Sequence, residues 1–149
     1  MIEALDRLFL IARVAGQRVA FPSAEIDSVV EIDAITPVPR GPRHIAGLAA
    51  LRSRVLTMVS AEAALGLPAA LDGQAPRHAV VVTREGHLYG ILVDEIEDVV
   101  TIPGPPLPVR CDRGSSWARV SSGMLEHEGE ALLLLGVAAL VAGPPADPA

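Results

Sequence analysis

At 149 residues the chain fits one domain, and a composition that is 50% hydrophobic, 3% aromatic and 20% charged suits a compact fold with an aliphatic core and excludes disorder throughout. A formal net charge of −6 repels phosphate backbones and anionic lipid, so nucleic acid is not an expected partner. The lone Cys111 cannot form an internal disulfide and no apolar run approaches a membrane span, which points to a reducing, cytoplasmic setting without direct membrane insertion.

Residues 8–14 (LFLIARV) and 18–21 (RVAF) flank Ala15-Gly16-Gln17, which is the hairpin pattern of short β-compatible runs around a glycine. AEIDSVVEI (24–32) continues the strand signal and gives way to TPVPRGPRH (36–44), whose prolines stop ladder pairing; a PxxP-type ligand is the alternative use of that stretch. In IAGLAALRSRVLTMV (45–59), Arg52 and Arg54 interrupt an apolar run. Unpaired buried guanidinium groups cost several kcal/mol, so the two arginines require a role. A second hairpin follows, AVVVT (79–83) and LYGILV (88–93) around Gly86, then DEIEDVVTI (94–102) and the proline-rich PGPPLPVR (103–110). Cys111 falls in the next loop and reads as an ordinary free thiol. Aliphatic strands and GVAAL (136–140) precede a flexible tail, 143–149.

The chain repeats itself. A shift of 70 residues lays Gly16 on Gly86, Glu25 on Glu95, Ile26 on Ile96, Val29 on Val99, Val30 on Val100 and Ile32 on Ile102 without a gap. A looser echo at 75 or 76 sets Gly47-Leu48 against Gly123-Met124 and AEAAL (61–65) against GVAAL. These matches predict a mainly β fold of two pseudo-symmetric, small five-stranded β-barrels with short helices, packed on a shared aliphatic core. The expected subdomains are roughly 15–75 and 76–149, interleaved by exchanged terminal strands.

Catalytic and cofactor signals are absent. His44, His78, His87 and His127 show no metal-ligand spacing, Ser122 and His127 make at best a remote hydrolase pair, and no phosphate-binding glycine loop is present, so neither a metal nor a cofactor is expected. The acidic run Asp94, Glu95, Glu97 and Asp98 reads as a solvated strand edge.

Taken in order over nearly the whole chain, LFLIARVAGQRVAFPSAEIDSVVEI, TPVPRGPRHIAGLAALRSRVLTMV, AVVVTREGHLYGILVDEIEDVV and SGMLEHEGEALLLLGVAAL resemble the CheW-like domain of bacterial chemotaxis. The resemblance implies a non-catalytic adaptor that ties the cytoplasmic tips of chemoreceptors to the regulatory domain of a chemotaxis histidine kinase. A regulatory module for a different kinase or a small ligand is the alternative. It further implies a partner-binding set of Arg52, Glu31, Val29, Ile32 and Leu51, with Arg52 looking out of a strand near the joint of the two barrels. Arg52 would pair there with a partner carboxylate, or else cap backbone carbonyls of its own fold; Arg54 has no family counterpart. The sequence departs from the family pattern in three places: Ala50 replaces an asparagine, Ser53 a glycine, and Ser60-Ala61-Glu62 an Asp-Leu-Arg.

Overall fold

The computed structural model describes residues 6–40, 42–64, 77–103, 106–108 and 116–143, so Cys111 and the tail beyond Gly143 lie outside the described residues. Strands β1 (Asp6–Val14) and β2 (Gln17–Pro22) form one antiparallel hairpin, and β6 (Arg77–Arg84) and β7 (His87–Val93) form another. On β1, Phe9 and Ile11 point one way and Leu10, Ala12 and Val14 the other, and all five are buried. A strand buried on both faces shows a near-continuous apolar run instead of alternation, and LFLI and AVVV are such runs.

The first hairpin is followed by β3 (Ser28–Ile32), β4 (Ile45–Leu51), β5 (Arg54–Ser60) and α1 (Ala61–Ala64). The second is followed by β8 (Glu95–Pro103), α2 (Ser116–Val120), β9 (Ser121–His127), β10 (Glu130–Leu135) and α3 (Val137–Ala142). Hydrogen bonding orders the strands β8-β1-β2-β10-β9 in one sheet and β3-β6-β7-β5-β4 in the other. Replacing each strand by its counterpart in the other repeat turns one order into the other, so the halves match strand for strand. Each hairpin lies in the sheet built by the last three strands of the opposite repeat. The sheets therefore draw on 28–93, and on 6–22 with 95–135, rather than on 15–75 and 76–149.

Three apolar clusters follow from this arrangement. Phe9, Ile11, Ala20, Leu125, Leu132 and Leu134 fill the first barrel, and Ile32, Leu56, Met58, Val81 and Leu92 fill the second. Between them, Leu10, Val14, Phe21, Val80, Ile91 and Leu140 belong to a cluster shared by both hairpins and all three helices. Each barrel is closed by one isolated bridge. Thr36 and Leu48 exchange two backbone hydrogen bonds of 2.8 Å in the second barrel, and Leu107 and Met124 do the same in the first. A glycine stands beside each bridge because the closing segment crosses it closely: a Cβ on Gly47 would lie 2.2 Å from the Thr36 carbonyl oxygen, and one on Gly123 would lie 2.8 Å from Pro106.

The helices meet at the joint between the barrels. The Arg119 guanidinium donates to the Gly143 carbonyl at 3.0 Å and to the carbonyl of Ala64, so it satisfies the last turns of α1 and α3 together. His44, only 6% exposed, donates from Nε2 to the Val141 carbonyl at 2.9 Å, and its own carbonyl accepts the Ser60 N–H. Gly143, expected at the start of the flexible tail, is instead buried against the His44 ring.

The acidic run on β8 is only partly a solvated edge. Glu97 accepts from Arg13 Nε at 2.7 Å and from Arg18 Nε at 2.9 Å, and Arg18 also pairs with Glu130. The network joins β1, β2, β8 and β10. The hydrogen bond from Arg13, reinforced by Arg18, holds the Glu97 carboxyl below the usual carboxylate range.

Two outcomes follow. Gly47→Ala introduces left-handed strain and a backbone clash, and should cost at least about 2 kcal/mol in denaturant unfolding. A carboxyl whose folded pKa is depressed stabilises the fold fully above its unfolded value and loses that contribution as pH falls through the folded one. The melting temperature of Glu97→Gln should therefore converge on that of the wild type as pH falls below about 4.3, and lie under it at neutral pH.

Candidate partner-binding site

Four of the hairpins are closed by the same turn. Both central residues have positive φ at Ala15-Gly16, Glu85-Gly86, Glu128-Gly129 and Arg52-Ser53, as a type I′ turn requires. Three of the four place glycine second. The β4–β5 turn places Ser53 there, at φ 76, with Arg52 before it at φ 57. Arg52 is thus at a hairpin tip, at the opposite end of β4 and β5 from His44 and Ser60 at the barrel joint, and not in a strand near that joint. Its side chain is exposed and has no hydrogen bond or ion pair among the described residues. The internal-cap role belongs to Arg119 instead. Arg54, the first residue of β5, is likewise exposed and unpaired among the described residues. Neither arginine is buried, so neither incurs the desolvation that the apolar run suggested.

The other expected residues divide by strand alternation. Val29, 40% exposed, and Glu31 face outward on β3, and Glu31 Oε2 lies 3.8 Å from His78 Nε2 on β6. Ile32 is 4% exposed and belongs to the core of the second barrel, while Leu51 is half-buried against that core. A groove of about 560 Å³ runs between the end of β3 and the β4–β5 hairpin. Glu31, Ile32 and Asp33 line one wall; Leu48, Ala50 and Val55 line the other. Val29, Leu51 and Arg52 are not part of its lining. Leu48 and Val55, 40% and 63% exposed, are the residues that sequence reasoning missed. Their signal was available, because β4 and β5 carry apolar residues on the outward face as well as the inward one. A second groove, of about 720 Å³, lies in the first barrel between Leu8, Pro22, Pro106 and Leu134.

The departures from the family pattern have physical readings. Ser60 Oγ accepts the Ala63 N–H at 3.1 Å, which is the N-cap contact that an aspartate would also make, so α1 keeps its start. Ser53 occupies a left-handed position that favours glycine. Ala50 leaves the outer edge of β4 without a polar side chain. Ser122 Oγ donates to the Leu134 carbonyl at 3.3 Å while His127 Nε2 lies 3.9 Å from Glu128, so these two residues are not brought together. Among the described residues no group of three or more His, Cys, Asp or Glu is placed to hold a metal, and no helix is long and apolar enough to cross a membrane.

The molecule is a pair of small β-barrels sharing one core, with a groove lined by Leu48 and Val55 and by Glu31 and Asp33 near an arginine-tipped hairpin. Residues 8–144 match the CheW-like domain, and the chain belongs to that family. It is 31% identical over 102 residues to the chemotaxis protein CheW of Rhizobium meliloti, a match covering 67% of this chain and 64% of that protein. It is 26% identical over 138 residues to the chemotaxis protein CheW of Thermotoga maritima, covering 92% and 89%. The scaffolding protein TtCheW of Thermoanaerobacter tengcongensis has the same fold, with a TM-score of 0.77 at 16% identity over 89% of this chain and 90% of that one.

Replacing Ser53 by glycine relieves a left-handed serine. Ser53→Gly should raise unfolding stability by about 1 kcal/mol in a denaturant melt.

Proposed function

We propose that this chain is a non-catalytic cytoplasmic adaptor that couples the cytoplasmic tips of chemoreceptors to the regulatory domain of a chemotaxis histidine kinase. Membership of the CheW-like family supports a chemotaxis role of this kind. The observation that carries the reading is Arg52: an exposed guanidinium held at the tip of a rigid two-residue turn, unpaired among the described residues, a few residues from the exposed apolar Leu48 and Val55. An arginine so placed is free to form a bidentate contact with a carboxylate of a partner, and the apolar side chains beside it exclude water from that contact. Val29 and Glu31 extend the surface along β3. Ile32 and Leu51 support it from within.

Arg52→Ala should weaken association with the receptor tip or the kinase regulatory domain by roughly 1 to 3 kcal/mol, measured by titration calorimetry, while the melting temperature stays within about 1 °C. Arg54→Ala should have a smaller effect. Unchanged binding by Arg52→Ala to both partners would remove Arg52 from the site.

A further inference from the structure

Charges of both signs lie unmatched around the groove of the second barrel. Glu31 and Asp33 line one wall; Glu31 has only His78 at 3.8 Å, and Asp33 has no ion pair or hydrogen bond among the described residues. Leu48 and Val55, 40% and 63% exposed, line the other wall. Arg54 directly precedes Val55 on β5, and Arg52 is at the tip of the same hairpin, both exposed and unpaired among the described residues. The first barrel carries no such arrangement. In the repeat, Thr101 and Pro103 stand where Glu31 and Asp33 do, and Glu128 and Glu130 stand where Arg52 and Arg54 do. Glu130 is moreover matched within the molecule by Arg18. Acidic wall and basic tip therefore occur together, in one barrel only.

A surface that holds both halves of an ionic match is complementary to a copy of itself. Under a two-fold axis the same patch meets itself turned by half a turn, so each sign faces its opposite. We propose that this face is a self-association surface: two copies of the chain pair through their second barrels, the Arg52–Arg54 hairpin of each entering the groove of the other. There the guanidinium groups meet Glu31 and Asp33 in charge-assisted bonds, while their aliphatic stems and Val55 lie against Leu48. The groove, about 560 Å³, is in the size range of sites that enclose drug-sized ligands, which is ample for an arginine side chain. These contacts are far fewer than the roughly 20 to 30 residues a side of a standard interface, so the pairing is reversible and depends on concentration. A paired copy has its Arg52 occupied, so self-association and the partner contact proposed above exclude each other.

Sedimentation equilibrium of the purified full chain from about 10 μM to about 1 mM should show reversible dimers and nothing larger, because a two-fold contact closes on itself. Raising the salt to about 1 M, where the screening length falls to about 3 Å, should weaken the dimer about tenfold. Two charge-reversed variants test the geometry. Arg52→Glu with Arg54→Glu has an acidic tip and an acidic wall; Glu31→Arg with Asp33→Arg has a basic tip and a basic wall. Each alone should sediment as a monomer. Mixed in equal amounts they should dimerise within about threefold of the wild-type constant, because every tip again meets a wall of opposite sign. All four positions are exposed, and thermal melts confirm that each variant is folded. Arg52→Gln with Arg54→Gln, which removes charge without reversing it, should weaken pairing about tenfold. Three results would each overturn the proposal: a wild type monomeric throughout, pairing lost with the tip variant but kept by the wall variant, or folded variants that fail to pair when mixed. Receptor and kinase are absent from these measurements, so the adaptor role stands or falls on the Arg52 titration alone.

Discussion

A two-stranded hairpin with apolar residues on both faces has no stable existence in water, and this molecule contains two of them. Phe9 and Ile11 need a barrel interior while Leu10, Ala12 and Val14 need a second surface, and the same demand falls on β6 and β7. Inserting each hairpin in the sheet of the other repeat meets both demands at once. One face completes a barrel, and the other faces its counterpart across the joint. At about 25 cal/mol per Å² of buried apolar surface, neither small barrel alone would gain enough to offset the ordering of its chain. The remaining features depend on this packing: the helices that cover the open end of the joint, Arg119 drawing two helix ends together, and the outer strands left free to present a surface.

Those outer strands differ between the halves in ways that the duplication exposes. Equivalent positions carry Ala50 and Glu126, Arg52 and Glu128, Arg54 and Glu130. The turn geometry is the same in both while the charge is reversed, so one barrel ends in a basic tip and the other in an acidic one. Ser53 in place of glycine adds local strain at the basic tip. Strain of this kind persists where the surrounding ladder over-determines it, and the same hairpin carries Arg52 and Arg54, whose side chains have no partner among the described residues.

Much of this was legible from residues alone, and for identifiable reasons. A glycine between two short β-runs marks a tight turn, so the pairing of Gly16 with Gly86 revealed the duplication and hence the paired barrels. The β4–β5 turn was hidden because Arg52-Ser53 lacks that glycine; extending the echo to Glu128-Gly129 would have uncovered it and moved Arg52 from strand to tip. Interleaving by exchanged terminal strands was expected, but that the exchanged units are the two opening hairpins left no trace in the pattern, since a hairpin apolar on both faces looks the same whichever sheet receives it. Ile32 was assigned to the surface by family resemblance, yet strand alternation with the outward Val29 and Glu31 fixes it in the core. Arg119 was invisible for a different reason: its partners are carbonyls of Ala64 and Gly143, which no side-chain motif records.

The exchanged hairpins also impose an order of events on folding. The second barrel draws on the continuous stretch 28–93, whereas the first joins β1 and β2 to β8, β9 and β10; Arg18, for example, meets Glu130, 112 positions further along the chain. Contacts of such separation are slow to form because a long loop must close before they return any energy. During synthesis the contiguous barrel can therefore complete itself while the N-terminal hairpin waits, docked by its inter-barrel face and with Phe9 and Ile11 still uncovered. Release of the last strands ends that exposure. Until then the nascent chain presents the very edge and apolar surface that chaperones recognise and aggregation exploits.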